Sequence, residues 1–276
     1  SLTLGNVDVA VAGGMESMTN APYLMTQGRS GYRFGHAQIF DHMTMDGLED
    51  AYNGEAMGIF AEKCVSKFDF TREEQDAFAV SSLERAQRAI KDGNFEDEIA
   101  PVTVKTRKGE VVCSIDEQPG KSVADKISQM RPAFIKDGTV TAANASSISD
   151  GAAALVLTRL SVAEKLGMKP LATIHAHSTH SQEPEWFTTA PVGAINKLLA
   201  KVAWSKDDVD LFEINEAFAC VTMAAMKELG LPHEKVNIHG GACALGHPIG
   251  ASGARIIVTL LGALQTYGKR KGVAAI

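Results

Sequence analysis

Residues 240–253 read Gly240-Gly241-Ala242-Cys243-Ala244-Leu245-Gly246-His247-Pro248-Ile249-Gly250-Ala251-Ser252-Gly253. Ahead of them, Val236-Asn237-Ile238-His239 has the look of a short strand. Behind them, Ala254 to Gln265 repeats Ile256, Ile257, Leu260, Leu261 and Leu264 at helical spacing. A strand, a glycine-rich turn and a helix predict an α/β layer, with His247 set just before a helix N-terminus. Ligands of open α/β sheets lie at such strand-to-helix crevices. Five glycines in one loop point to a tight, close-packed turn, because glycine tolerates positive φ and near approach of backbone. Pro248 stiffens the residue after the histidine. A fixed imidazole suits general-base work near neutral pH. For a lone His-Pro pair, the competing reading is a histidine that merely caps the turn.

Further upstream the same arrangement recurs. Asp210-Leu211-Phe212-Glu213-Ile214 reads as a strand, and Asn215-Glu216-Ala217-Phe218 sits at its carboxyl end. Ala219 to Leu229 is the following helix, stopped by Gly230 and Pro232. Asn215 and His247 are therefore expected at one edge of one sheet. The alternation of strands and helices after residue 170 predicts a parallel layer.

The histidine segment resembles the histidine motif of the thiolases, the acetyl-CoA acetyltransferase family. Asn215-Glu216-Ala217-Phe218-Ala219 resembles that family's asparagine motif. Gly13-Gly14-Met15-Glu16-Ser17-Met18 and Thr141-Ala142-Ala143-Asn144-Ala145-Ser146 resemble two more of its segments, and all four stand in family order. The resemblance implies a layered α-β-α-β-α fold with an inserted loop domain and both core halves incomplete. Residues 1–19 and 149–169 would be the remnant of the N-terminal half. Residues 20–148 would form the loop domain over the coenzyme A site, and 170–276 the C-terminal half without its last strands.

The same resemblance assigns His247 and Asn215 to catalysis. It places Leu48, Met57, Ala145, Ser146, Ile148 and Phe218 along the coenzyme A pocket. No cofactor is implied: acyl-CoA and CoA are substrates, and a dimer or tetramer is the implied assembly. Ala56 stands where the family often has a histidine before the methionine. Around Gln118-Pro119-Gly120-Lys121, some relatives carry an arginine near the CoA phosphates; the resemblance leaves Lys121 or Lys126 as the candidate substitute. The nucleophilic cysteine and a second reactive cysteine would lie ahead of Ser1 and beyond Ile276. Ser1 to Asn6 reads as a helix end and Gly272 to Ile276 as a strand, which suggests a piece cut through both elements.

Composition agrees with an ordinary enzyme: 45% hydrophobic, 22% charged and a net charge of −6 in 276 residues. No basic footprint argues for nucleic acid, and no apolar run is long enough to argue for a membrane span. Cys64, Cys113, Cys220 and Cys243 are scattered, so a reducing, cytoplasmic setting is the default. Cys64 and Cys220 read as helical, Cys113 as part of a strand, and none has an evident activating partner.

Elsewhere, Val7 to Ala12 reads as a buried parallel strand followed by a loop, and Ala152 to Leu157 as a second buried strand. Residues 21–47 form an irregular excursion. Thr71-Arg72-Glu73-Glu74 is a capping box for a helix to about Lys91. Ile99 to Lys105 and Val111 to Ile115 form a strand pair, Asp116 to Ser128 a loop, and Leu171 to Ala176 a strand. His175, His177 and His180 alternate there, but zinc sites need more ligands at defined spacing. Two other functions compete with acyl transfer. A phosphate-binding loop lacks its lysine and Ser/Thr pair. A non-catalytic coenzyme A binding or assembly module is the stronger rival.

Overall fold

The computed structural model describes all 276 residues. In chain order it holds β1 (Val9–Ser17), β2 (Tyr23–Leu24), β3 (Phe40–Asp41), α1 (Met57–Phe68), α2 (Arg72–Lys91), β4 (Val102–Thr106) and β5 (Gly109–Cys113). There follow α3 (Gln118–Lys121), β6 (Asp150–Thr158), α4 (Leu160–Lys165), α5 (Ala190–Val202), β7 (Leu211–Ile214), α6 (Ala219–Leu229), α7 (Ala242–Leu245), α8 (Ile249–Thr266) and β8 (Gly272–Ala275).

Four two-stranded sheets result: β1 with β6, β2 with β3 and β4 with β5 are antiparallel, and β7 with β8 is parallel. All four residues of β7 are buried, as a strand covered on both faces requires. Phe212 and Ile214 pack with Ile195 and Leu199 of α5, Ala225 of α6, and Val273 and Ala275 of β8. A second core joins Ala61, Cys64 and Val65 of α1 to Cys220, Val221 and Ala224 of α6. Helix α6 thus stands between two cores and fixes the end of β7.

The capping box forms as expected. Thr71 Oγ1 accepts the Glu74 N–H at 3.1 Å, and the Glu74 carboxylate accepts the Thr71 N–H at 2.8 Å. Helix α6 spans the expected residues, and α8 begins five residues earlier than its apolar repeat predicts.

Several sequence expectations are corrected. β1 is antiparallel and half open to solvent, not a buried parallel strand: Val11 and Met15 on it are largely exposed, and so is Val156 on β6. Helix α8 packs against one face of this pair, and the outward residues alternate with the covered ones along β6. β1 also runs on through Met15 and Glu16, where a loop was expected. Val236 makes a single bridge to Phe212 and no strand, because Asn237 turns left-handed at φ +48. Residues 172–183 form no strand; Ser178 and His177 hydrogen-bond to α5 through Ala194 and Lys201 instead. The 116–128 loop contains α3 and a turn of 3-10 helix. Helix α8 is long and apolar enough to cross a membrane by length and composition. In this fold it lies under both the β1–β6 and the β7–β8 sheets.

The β1–α8 contact is the tightest of these. A Cβ on Gly14 would stand 1.8 Å from the Gly250 carbonyl oxygen, so only glycine lets the strand approach. Gly14→Ala is expected to lower stability by at least about 2 kcal/mol, read as a fall in Tm, because two backbones would have to part.

Candidate active site

Asn215 follows β7 directly. Its N–H donates to Ala275 O at 2.9 Å. Asn237 clamps the residue before it: Asn237 Oδ1 accepts the Ile214 N–H and Asn237 Nδ2 donates to Ile214 O, both at 2.8 Å. The left-handed backbone of Asn237, which asparagine tolerates better than most residues, aims its amide back at the strand. Asn215 itself is 3% exposed.

His247 lies between α7 and α8. Its N–H donates to Ser147 O at 3.3 Å. Glu16 of β1 accepts the Gly250 N–H at 3.1 Å, which places a carboxylate at the N-terminus of α8, where the helix dipole favours it. The two side chains meet: Asn215 Nδ2 is 3.3 Å from His247 Nε2. On the other side, His247 Nδ1 is 2.5 Å from Ser252 Oγ. Ser252 is fully buried, and its hydroxyl donates to Pro248 O at 3.0 Å. A carbonyl oxygen only accepts, so the serine proton is committed there and Ser252 Oγ accepts from Nδ1–H. This tautomer leaves Nε2 with its lone pair, facing Asn215. Asn215 Oδ1 is buried and meets no protein donor, so it is free to accept a hydrogen bond from water or substrate.

Of the residues that the resemblance assigns to coenzyme A, Met57, Ala145 and Phe218 lie in one cluster. Ala145 and Phe218 bridge backbone to backbone, and the Ser146 N–H donates to Ala217 O at 3.0 Å. Phe134 meets Phe218 edge-on, with ring centroids 6.1 Å apart. Leu48 is half-buried at the end of a π-type turn, beside Glu49, which bridges Ala56. Ile148 is 57% exposed and follows Ser147, the residue that receives the His247 N–H. The 145–148 segment therefore runs from Phe218 to the imidazole. Lys121 pairs with Glu117 on exposed α3 at 3.0 Å. Of the alternating histidines, His175 lies against Trp204 and His180 against Gln182.

Known proteins resemble this chain along its whole length. Residues 1–161 match the family model for the thiolase N-terminal domain, and residues 168–276 match that for the thiolase C-terminal domain. The chain belongs to the thiolase family.

Relatives include an acetyl-CoA acetyltransferase of Chromobacterium violaceum, 48% identical over 278 residues, covering all of this chain and 71% of that protein. One of Saccharomyces cerevisiae is 49% identical over 281 residues, covering all of this chain and 70% of the relative. The crystal structure of the Bacillus anthracis acetyl-CoA acetyltransferase superposes with a TM-score of 0.95 at 45% identity, over 99% of this chain and 69% of that one. The fold is thus the α/β thiolase fold.

Electrostatics sharpen the thiolase site. Burial, helped by Arg255, pushes the His247 pKa down to about 4, so the imidazole is neutral at pH 7. Burial, with Glu216 nearby, holds the Cys243 thiol well above its usual range, which is the opposite of an activated nucleophile. Cys64 and Cys220 are buried between α1 and α6, and Cys113 is exposed on β5.

Beneath the site lies a carboxylate-rich cluster. Glu213 of β7 is pushed up to about 8 and Glu98 to about 7, both chiefly by burial. Arg255 of α8 stands 3.8 Å from Glu213, near enough to attract and too far for a hydrogen bond. Sequence reading missed Ser252, Glu16 and Asn237, whose roles depend on the turn geometry. Only the four-residue step from Pro248 to Ser252, one turn of α8, was a local signal.

The folded chain keeps the Glu213 proton up to about pH 8, while the unfolded chain releases it near 4.5. The folded state binds more protons between those values, so this group costs stability progressively as pH rises through that window. His233, His239 and His247, all at about 4, act oppositely: their cost appears as pH falls from 6.5 toward 4. Glu213→Gln is expected to reduce the stability lost between about pH 6.5 and pH 8, by on the order of 1–3 kcal/mol. Urea unfolding at both pH values measures it.

Proposed function

We propose that the protein is an acetyl-CoA C-acetyltransferase, which condenses two acetyl-CoA to acetoacetyl-CoA and, in reverse, cleaves 3-ketoacyl-CoA by thiolysis. The carrying observation is the meeting of Asn215 Nδ2 and His247 Nε2 at 3.3 Å, near the backbone bridge between Phe218 and Ala145. Family membership and the printed names of the relatives support the same reading.

His247 Nε2, unprotonated and neutral, takes the proton of a thiol. The thiolate attacks the acyl carbon of a thioester, and coenzyme A leaves with the proton of a second thiol, which becomes a thiolate while the imidazolium keeps its Nε2–H. A second acetyl-CoA then gives up an α-proton to a second thiolate. The developing enolate oxygen receives the Nε2–H of His247 and a water held by Asn215. Donors fixed in advance stabilise such charge without reorganising. The new carbon–carbon bond forms as the enzyme thiolate departs. Ser252 keeps the imidazole in the tautomer that this sequence of proton transfers needs.

None of the four cysteines here suits either thiol role: Cys243 is held protonated, Cys64 and Cys220 are buried between α1 and α6, and Cys113 is exposed on β5. The proposal takes both thiols from segments outside residues 1–276, as the thiolase resemblance implies. The same observation favours the rival reading, coenzyme A binding without catalysis, for residues 1–276 alone. The thiolase resemblance implies a homo-oligomer, a dimer or tetramer. Four free thiols suit the cytoplasm, and thioester substrates suit fatty acid metabolism.

Residues 1–276 by themselves are expected to bind coenzyme A in calorimetry and to show no thiolysis of acetoacetyl-CoA. Thiolysis by this chain would refute the outside placement of the nucleophile. With the family's two cysteine-bearing segments joined at Ser1 and Ile276, His247→Ala is expected to slow acyl-enzyme formation by roughly 10²–10⁴-fold. An unchanged acylation rate in stopped flow would remove the base role.

A further inference from the structure

Glu216 is the neighbour of Asn215, and its side chain is 1% exposed. Its carboxylate is met only by donors. Oε2 accepts the Ser82 hydroxyl at 2.7 Å and the Cys243 N–H at 3.0 Å; Oε1 accepts Asn237 Nδ2–H at 2.8 Å. Ser82 Oγ in turn accepts the Gly241 N–H at 2.9 Å. A Cβ at Gly241 would stand 2.4 Å from the Glu216 carboxyl carbon, so the loop is seated directly on the carboxylate. The acyl-transfer scheme uses none of these groups.

The connectivity is specific. Cys243 and Gly241 belong to the loop that ends in His247, four residues beyond Cys243. Asn237 is the same residue that clamps Ile214. Ser82 lies on α2, in the inserted part of the chain, and Arg85 one turn later donates to the carbonyls of Val236, Asn237 and His233. One buried carboxylate therefore joins the strand end that carries Asn215, the loop that carries His247, and α2. Charge-assisted bonds of this kind are among the stronger ones, and losing one partner leaves a buried donor unsatisfied.

We propose that Glu216 and Ser82 are positioning residues that hold the His247 loop against the end of β7 and so set the separation of imidazole and carboxamide. The inference rests on the reading of Asn215 and His247 as the working pair.

Its test reads the imidazole directly, without turnover, so it fails separately from the acyl-transfer reading. Nitrogen-15 NMR follows the His247 titration in the 276-residue chain and in Glu216→Gln. Removing a negative charge alone drives the histidine pKa further down. Release of the loop admits water and drives it up toward the ordinary value. A rise of about one unit, tenfold in proton affinity, is expected. Ser82→Ala changes no charge and is expected to raise it by a smaller amount; it decides the matter if Glu216→Gln does not fold. Asp210→Asn serves as control. Asp210 clamps the Arg270 and Lys271 N–H groups at 2.9 Å at the far end of β7, so its loss is expected to lower Tm and leave His247 unmoved. An unmoved or lowered His247 pKa in the folded variants, or an equal rise in Asp210→Asn, overturns the proposal.

Discussion

A strand buried on both faces must satisfy every backbone donor and acceptor within the protein, and β7 meets that demand at the site itself. β8 supplies one side of the ladder. At the other side there is no full strand, only the Phe212–Val236 bridge and the amide of Asn237. That side chain completes the ladder at Ile214 and reaches Glu216 as well. The position of Asn215 is therefore a by-product of backbone accounting in the core. The histidine loop meets Asn215 between Ser147, which accepts the His247 N–H, and the start of α8.

The site's electrical state follows from the same burial. An imidazole with its Nδ1 proton committed to Ser252 and its ring partly buried stays neutral where it must accept a proton. The thiol of Cys243, a few residues away, is suppressed by burial and by Glu216. Deeper in, Glu213, Glu98 and Arg255 form an imperfect ion cluster, in which the guanidinium and one Glu98 oxygen lack hydrogen-bond partners. Such a cluster stabilises little by itself, because desolvation offsets most of the attraction.

Much of this was legible in the residues. The capping box at Thr71, the apolar repeats of α6 and α8, and the strand-to-helix setting of Asn215 are local signals, and each is found where it was read; His247 precedes α8 as read, but no strand leads into its loop. The alternation in Leu171 to Ala176 misled, because a strand needs a neighbour that sequence periodicity cannot supply. Val7 to Ala12 misled for a related reason: apolar content predicted cover on both faces, and α8 packs against one. The network of Glu216, Ser82, Asn237 and Gly241 joins residues up to 159 positions apart, and no local pattern marks it.

The contact between Glu16 and Gly250 joins residues 234 positions apart. Closing so long a loop is entropically costly and slow, because non-local contacts form only after the intervening chain has been ordered. The seat of the imidazole therefore needs both ends of the chain in place. A nascent chain has no finished reaction centre until α8 has emerged and found β1.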